Sequence, residues 1–81
     1  MSETDERLVR MANDIARNFA VLGEGEAVAA TAEHIALFWD PRMKARGVAL
    51  LHGGGAYSTI AQAALARVAQ HGDEAHHSPA D

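Results

Sequence analysis

The Asp-Pro pair at positions 40 and 41 constrains the fold of this chain more than any other sequence feature. Proline disfavours helical dihedral angles in the residue before it, yet its fixed φ suits the first position of a new helix. Aspartate is a preferred N-cap, because its carboxylate accepts hydrogen bonds from the free N–H groups of the first turn. We therefore predict that one helix ends at Asp40 and that the next begins at Pro41. The large apolar and charged side chains around this corner are Phe38, Trp39, Arg42 and Met43.

The spacing of apolar residues predicts four short helices, with expected limits at residues 5–22, 26–39, 41–52 and 59–71. Ser2 or Thr4 can cap the first helix, Gly23 suits a left-handed C-cap, and Ser58 can cap the last helix. No segment shows the alternating pattern of a β-strand. The predicted fold class is therefore all-α: a small bundle of three to four short helices with a disordered C-terminal tail.

The predicted core follows from the helical faces that carry the bulkiest apolar side chains. Leu37 falls outside these faces, so we expect it to be exposed, and Gly47 inside a helix suggests a close approach by another part of the chain. The expected core residues are Leu8, Met11, Ile15, Phe19, Val28, Ile35, Phe38, Leu50, Leu51, Ile60, Leu65 and Val68.

The length of 81 residues is that of one small domain. We place this helical domain at residues 1–72 and a disordered tail at residues 73–81, since the tail has no apolar side chain larger than alanine. A domain of this size buries only about 60% of its unfolded surface. The chain has no cysteine, which excludes disulfides and thiolate metal sites. A partner chain is therefore the expected source of additional stability.

The charge balance bears on the class of partner. A net charge of −4 argues against nucleic acid or an anionic membrane as the main partner. No apolar run is long enough to cross a bilayer, and the acidic N-terminus is unlike a signal peptide. We expect a cytoplasmic protein.

No catalytic or metal-binding constellation stands out in the sequence. Three of the five histidines lie in or beside the tail, and His34 and His52 fall on different predicted helices, so we expect no native metal site. Ser58, His52 and Asp40 have the residue types of a catalytic triad, but no sequence feature suggests an oxyanion hole beside them. We expect a chain without catalysis of its own.

Two stretches together carry a resemblance to a known family. The first is Arg7-Leu8-Val9-Arg10-Met11-Ala12-Asn13-Asp14-Ile15-Ala16-Arg17-Asn18-Phe19, followed by Ala32-Glu33-His34-Ile35, and the second is Phe38-Trp39-Asp40-Pro41-Arg42-Met43. Their order and spacing resemble the delta subunit of NAD-dependent, molybdenum-containing formate dehydrogenase, over about residues 7–70.

The resemblance implies a non-catalytic accessory subunit of a cytoplasmic enzyme that oxidises formate to carbon dioxide and reduces NAD. Its expected role is assembly or stability of the holoenzyme, through contact with the large (alpha) subunit. The resemblance also implies no cofactor in this chain, since the molybdenum cofactor, iron–sulfur clusters and flavin of such a complex belong to other subunits. Two alternatives remain: a transient maturation factor that assists cofactor insertion, and a helical interaction module that self-associates as a homo-oligomer.

The Asp-Pro corner is the first candidate for the partner contact, because tryptophan, arginine and methionine are enriched at interfaces. Trp39 is equally consistent with a core position, since it shares a helical face with Val28 and Ile35. A second candidate is the polar face of the first helix. The predicted partner-binding residues are Trp39, Arg42, Met43, Arg10, Asn13 and Arg17.

Overall fold

The computed structural model of the chain describes the backbone of residues 2–77 and the side chains of residues 2–70. Helix α1 is Glu3–Phe19, followed by a 3₁₀ turn at Ala20–Leu22, and α2 is Glu24–Phe38. Helix α3 is Pro41–His52 and α4 is Thr59–His77. Residues 2–77 contain four α-helices and no strand, which confirms the predicted all-α class.

Side-chain caps set the starts of α1, α3 and α4. The hydroxyls of Ser2 and Ser58 each accept a hydrogen bond from the backbone N–H three residues further on, at 3.1 and 3.2 Å. Asp40 Oδ1 accepts from the N–H of Met43 at 2.8 Å, and Pro41 occupies the first position of α3. All three N-caps confirm the prediction.

Other limits differ from the prediction: α1 begins at Glu3 rather than at residue 5, and α2 is Glu24–Phe38 rather than 26–39. The first helix tightens into the 3₁₀ turn three residues before Leu22, and Gly23 then joins that turn to α2 with φ 93° and ψ 153°. The positive φ agrees with the expected role of this glycine, whereas the extended ψ is not that of a left-handed C-cap. The backbone of α4 is helical as far as His77 rather than His71. Residues 78–81 and all side chains of the predicted tail, 73–81, lie outside the described residues, so its disorder and the domain limit at 72 stay predictions.

The core lies where α4 packs across α1, α2 and α3, and small side chains form much of it. Ile35 and Leu65 are the largest apolar side chains that are fully buried. Around them lie Leu8, Val9, Trp39, Leu50, Tyr57 and Val68, together with the buried alanines Ala12, Ala16, Ala27, Ala32, Ala61 and Ala64. Alanine permits close helix packing, which is why the helices meet along faces that do not carry the bulkiest residues.

The predicted core is therefore corrected at its edges. Phe38 was expected in the core, but it is 70% exposed, whereas its neighbour Trp39 is only 4% exposed. Leu37 is exposed, as predicted. Six other expected core residues are only partly buried: Met11, Ile15, Phe19, Val28, Leu51 and Ile60.

One contact positions α3, and it joins Trp39, Gly47 and Tyr57. A Cβ built on Gly47 would lie 2.9 Å from Cζ3 of Trp39, which confirms the predicted close approach and shows that an indole ring makes it. The Tyr57 hydroxyl donates a hydrogen bond to the carbonyl of Gly47 at 2.9 Å. Burial, followed by the charge of Asp5, raises the pKa of Tyr57, so this phenol stays protonated as a donor.

Candidate interaction surface

Three rings form a row along the side of the α1–α2 pair. The centroids of Phe19 and His34 are 6.3 Å apart in an edge-on arrangement. Those of His34 and Phe38 are 4.7 Å apart and tilted by 42°. Such distances are typical of favourable ring pairs. The row holds Phe38 in place at the surface although most of its ring is open to solvent.

A cleft of about 340 Å³ opens beside this row. Its lining residues come from α1, α2, the Asp-Pro corner and the start of α3: Met11, Asp14, Ile15, His34, Phe38, Trp39 and Met43. Small-molecule sites usually enclose about 300–1,000 Å³, so this cleft lies at the lower end of that range. Its size and mostly apolar lining suit one or two side chains of another protein.

We define the α1–α2 surface as the lining residues of this cleft together with Phe19. It combines aromatic rings, two partly buried methionines and Ile15, and all of these except His34 were predicted in the core or at the Asp-Pro corner. Aromatic residues and methionine are enriched at interfaces, and contiguous exposed apolar patches mark interaction sites. These residues therefore form the candidate protein-binding surface.

The residues predicted at the Asp-Pro corner have separate positions in the structure. Trp39 is buried against Gly47, so its side chain belongs to the core, the alternative that the sequence left open. Met43 is partly buried and lines the cleft. Arg42 is exposed at the first turn of α3. Partner binding by Arg42 and Met43 stays a prediction that their positions allow.

The predicted polar face of α1 has a structural role at Asn13. Its Nδ2 donates to the carbonyl of Ala56 at 3.0 Å, and its Oδ1 accepts from the N–H of Ser58 at 2.8 Å. These two bonds fix the loop that precedes α4. Arg10 is exposed, and Arg17 is exposed with Nη2 3.9 Å from Oδ1 of Asp14, a contact that contributes little to stability.

A second, larger groove of about 780 Å³ lies between α2, α3 and α4. Small side chains leave this groove unfilled, since five alanines line it: Ala29, Ala32, Ala36, Ala45 and Ala69. Its charged residues are Glu33, Lys44 and Arg67, and Lys44 Nζ donates to the carbonyl of Ala36 at 3.1 Å.

Neither surface has the donor set of a metal site. Within residues 2–70, no group of three or more histidine, aspartate or glutamate side chains is close enough to hold an ion. None of the described helices is long and apolar enough to cross a membrane.

A small all-helical domain with an open apolar surface has the architecture expected of interaction modules and accessory subunits. Residues 7–65, well over half of the chain, match the family described as "NADH-dependant formate dehydrogenase delta subunit FdsD". The chain therefore belongs to the formate dehydrogenase delta subunit family, which confirms the resemblance drawn from the sequence. Comparisons with curated proteins and with solved structures gave no match.

Proposed function

We propose that this chain is a non-catalytic accessory subunit of a cytoplasmic NAD-dependent formate dehydrogenase, and that it binds the large subunit through the α1–α2 surface. The observation that carries the proposal is the exposure of Phe38 at 70% beside an apolar cleft. Leaving such a ring in water is unfavourable by roughly 1.5–3 kcal/mol relative to burying it, so covering it stabilises a complex.

Family membership is a second observation that supports the proposal, because a delta subunit has other subunits as its partners. In this proposal the subunit supports assembly or stability of the holoenzyme. The molybdenum cofactor, iron–sulfur clusters and flavin lie in the other subunits, and the chain supplies none of their ligands.

The test exchanges Phe38 for glutamate in a tagged chain that is co-expressed with the other formate dehydrogenase subunits of its host. Val21→Glu is the matched control, since Val21 is also an exposed apolar residue and lies outside the cleft. A buried aromatic anchor often contributes about 2 kcal/mol or more to binding, which corresponds to about 30-fold in affinity. We expect Phe38→Glu to lose the large subunit while Val21→Glu keeps it. Equal recovery with both variants would overturn the proposed surface.

Arg42 is the next residue to test, because it flanks the cleft residue Met43 and carries a fixed charge at the surface. Arg42→Glu should leave the circular dichroism of the isolated chain unchanged. If Arg42 pairs with an acidic residue of the partner, the reversed charge should weaken the association further than Arg42→Ala does.

The two alternative functions give different stoichiometries. A permanent subunit co-purifies in equal amount with the large subunit of active enzyme, whereas a maturation factor is found with inactive enzyme and is absent from the active complex. A self-associating module sediments as a homo-oligomer without any other subunit.

A further inference from the structure

The α1–α2 cleft specifies the chemistry of the element that covers it. Its walls at Met11, Met43 and Ile15 are apolar, and methionine adapts its shape to different apolar partners. Grooves of this kind bind amphipathic helices, which insert one or a few apolar side chains. The cleft of about 340 Å³ has room for one or two such side chains.

Asp14 is the carboxylate among the residues that line this cleft. Its side chain is 56% exposed, and its one ion pair within the described residues, to Arg17 at 3.9 Å, is at the outer limit of such contacts. A carboxylate can accept up to about four hydrogen bonds, so Asp14 retains capacity for a further donor. Covering the cleft with an apolar group alone would strip water from this charge, which is unfavourable unless a cation replaces the water.

The larger groove differs from the α1–α2 cleft in the sign of the charges that line it. Lys44 and Arg67 outnumber Glu33 there, so that surface favours an acidic element, whereas the α1–α2 cleft favours a basic one. Exchanging single charges can therefore distinguish the two surfaces.

We infer that the α1–α2 cleft receives an apolar side chain from a helix of the large subunit, and that a lysine or arginine within one turn of that side chain pairs with Asp14. The inference rests on the proposed function, since it names the partner element at the same surface. Residues one turn apart on a helix lie on the same side, so one partner helix can supply both groups.

The first experiment measures association of the co-expressed large subunit with Asp14→Asn, Asp14→Lys and the control Glu33→Lys. The two lysine variants change the net charge equally, and Glu33 lies in the other groove. We expect Asp14→Lys to weaken association about 10-fold or more, Asp14→Asn to have a smaller effect, and Glu33→Lys to stay within about twofold. High salt should reduce the loss in Asp14→Lys. A loss with Glu33→Lys and none with Asp14→Lys would overturn the inference.

The second experiment identifies the partner residues by photo-cross-linking. A photoreactive phenylalanine analogue replaces Phe38 in one chain and Ala36, which lines the larger groove, in another. The inference is supported if the chain labelled at position 38 cross-links to a large-subunit peptide with an apolar residue and a basic residue three or four positions away.

Cross-links from position 38 to an acidic peptide or to a second copy of this chain would overturn it. Cross-links to the large subunit from position 36 alone would overturn the inference and the proposed α1–α2 surface, and would leave the role as an accessory subunit standing. No cross-link to any formate dehydrogenase subunit from either position would overturn both.

Discussion

Arg46 binds the carboxylate of Asp5 with two parallel hydrogen bonds, Nε to Oδ1 at 2.8 Å and Nη2 to Oδ2 at 2.7 Å. The Asp5 side chain is 7% exposed, whereas that of Arg46 is 55% exposed. This paired geometry is the strong form of an arginine–carboxylate contact. It ties the first turn of α1 to the middle of α3, two elements that no other ion pair joins within the described residues.

This pair makes the fold sensitive to acid. The hydrogen bonds and charge of Arg46 lower the pKa of Asp5 to about 2 from its ordinary value of 3.8. A carboxylate with a lowered pKa stabilises the fold fully above its unfolded pKa, and that stability is lost as the pH falls through the folded pKa. We therefore expect Asp5→Asn to lower the melting temperature at pH 7, and the difference from wild type to disappear between about pH 4 and pH 2.

Asp14→Asn is the matched control for that measurement, since it removes an exposed carboxylate whose arginine is 3.9 Å away. The free energy of unfolding of Asp14→Asn should stay within about 1 kcal/mol of the wild-type value across the same pH range. A constant difference between Asp5→Asn and wild type down to pH 2 would contradict the assigned role of the pair.

Two glycines within helices should respond oppositely to alanine. At Gly47 a Cβ would lie 2.9 Å from the ring of Trp39, which is buried and cannot move aside, while overpacking costs about 1–3 kcal/mol. At Gly25 a Cβ would meet no atom within 4 Å. Alanine is better than glycine in a helix by about 0.5–1 kcal/mol. Gly47→Ala should therefore lower the free energy of unfolding and Gly25→Ala should raise it, as urea denaturation can measure.

The sequence was sufficient for the parts of this fold that local chemistry decides. The caps at Ser2, Asp40 and Ser58 depend on residues a few positions apart, and all three were predicted correctly. The Asp5–Arg46 pair joins residues 41 positions apart, and Asp5 was suited equally well to the first turn of a helix without any partner. Its tertiary contact had no signal in the sequence.

The buried face of α1 shows why the α1 residues of the candidate surface were not predicted, whereas Trp39 and Met43 were. Met11, Ile15 and Phe19 form a regular stripe of large apolar residues, which normally indicates a core face. In the structure the deepest positions belong to Ala12 and Ala16, because alanine lets α1 approach its neighbours closely. The large residues are therefore left at the edge, where they border the cleft. The sequence did contain a signal for this arrangement, namely a stripe of alanines beside the stripe of larger apolar residues.

Thr31 carries a buried hydroxyl with no hydrogen-bond partner among the described residues. Its side chain is fully buried, and an unpartnered hydroxyl in such a place costs about 1–3 kcal/mol. Thr31→Val removes the polar group and keeps the branched shape. We expect it to raise the free energy of unfolding by about 1 kcal/mol. Thr31→Ser keeps the hydroxyl and removes a methyl group, so it should destabilise the fold. A loss of stability in Thr31→Val would contradict the assignment of this hydroxyl as an unpartnered, destabilising group.

Asn13 has a structural role within this chain, whereas the sequence suggested that it binds the partner. Its amide makes one donated and one accepted hydrogen bond to the loop before α4, at Ala56 and Ser58. Asn13→Ala removes both, and Asn13→Asp keeps only the acceptor. At about 0.5–1.5 kcal/mol per hydrogen bond, we expect Asn13→Ala to lower the free energy of unfolding by about 1–3 kcal/mol, with Asn13→Asp in between.

Arg10→Ala is the control on the same helix, because Arg10 is exposed and its loss should change stability by less than about 0.5 kcal/mol. Denaturant unfolding of the isolated chains gives the stabilities, and co-purification with the large subunit gives the binding. If Asn13 acts only within this chain, binding should follow the folded fraction of each variant. An Asn13→Ala chain that unfolds like wild type but fails to bind would restore the polar face of α1 as the partner contact.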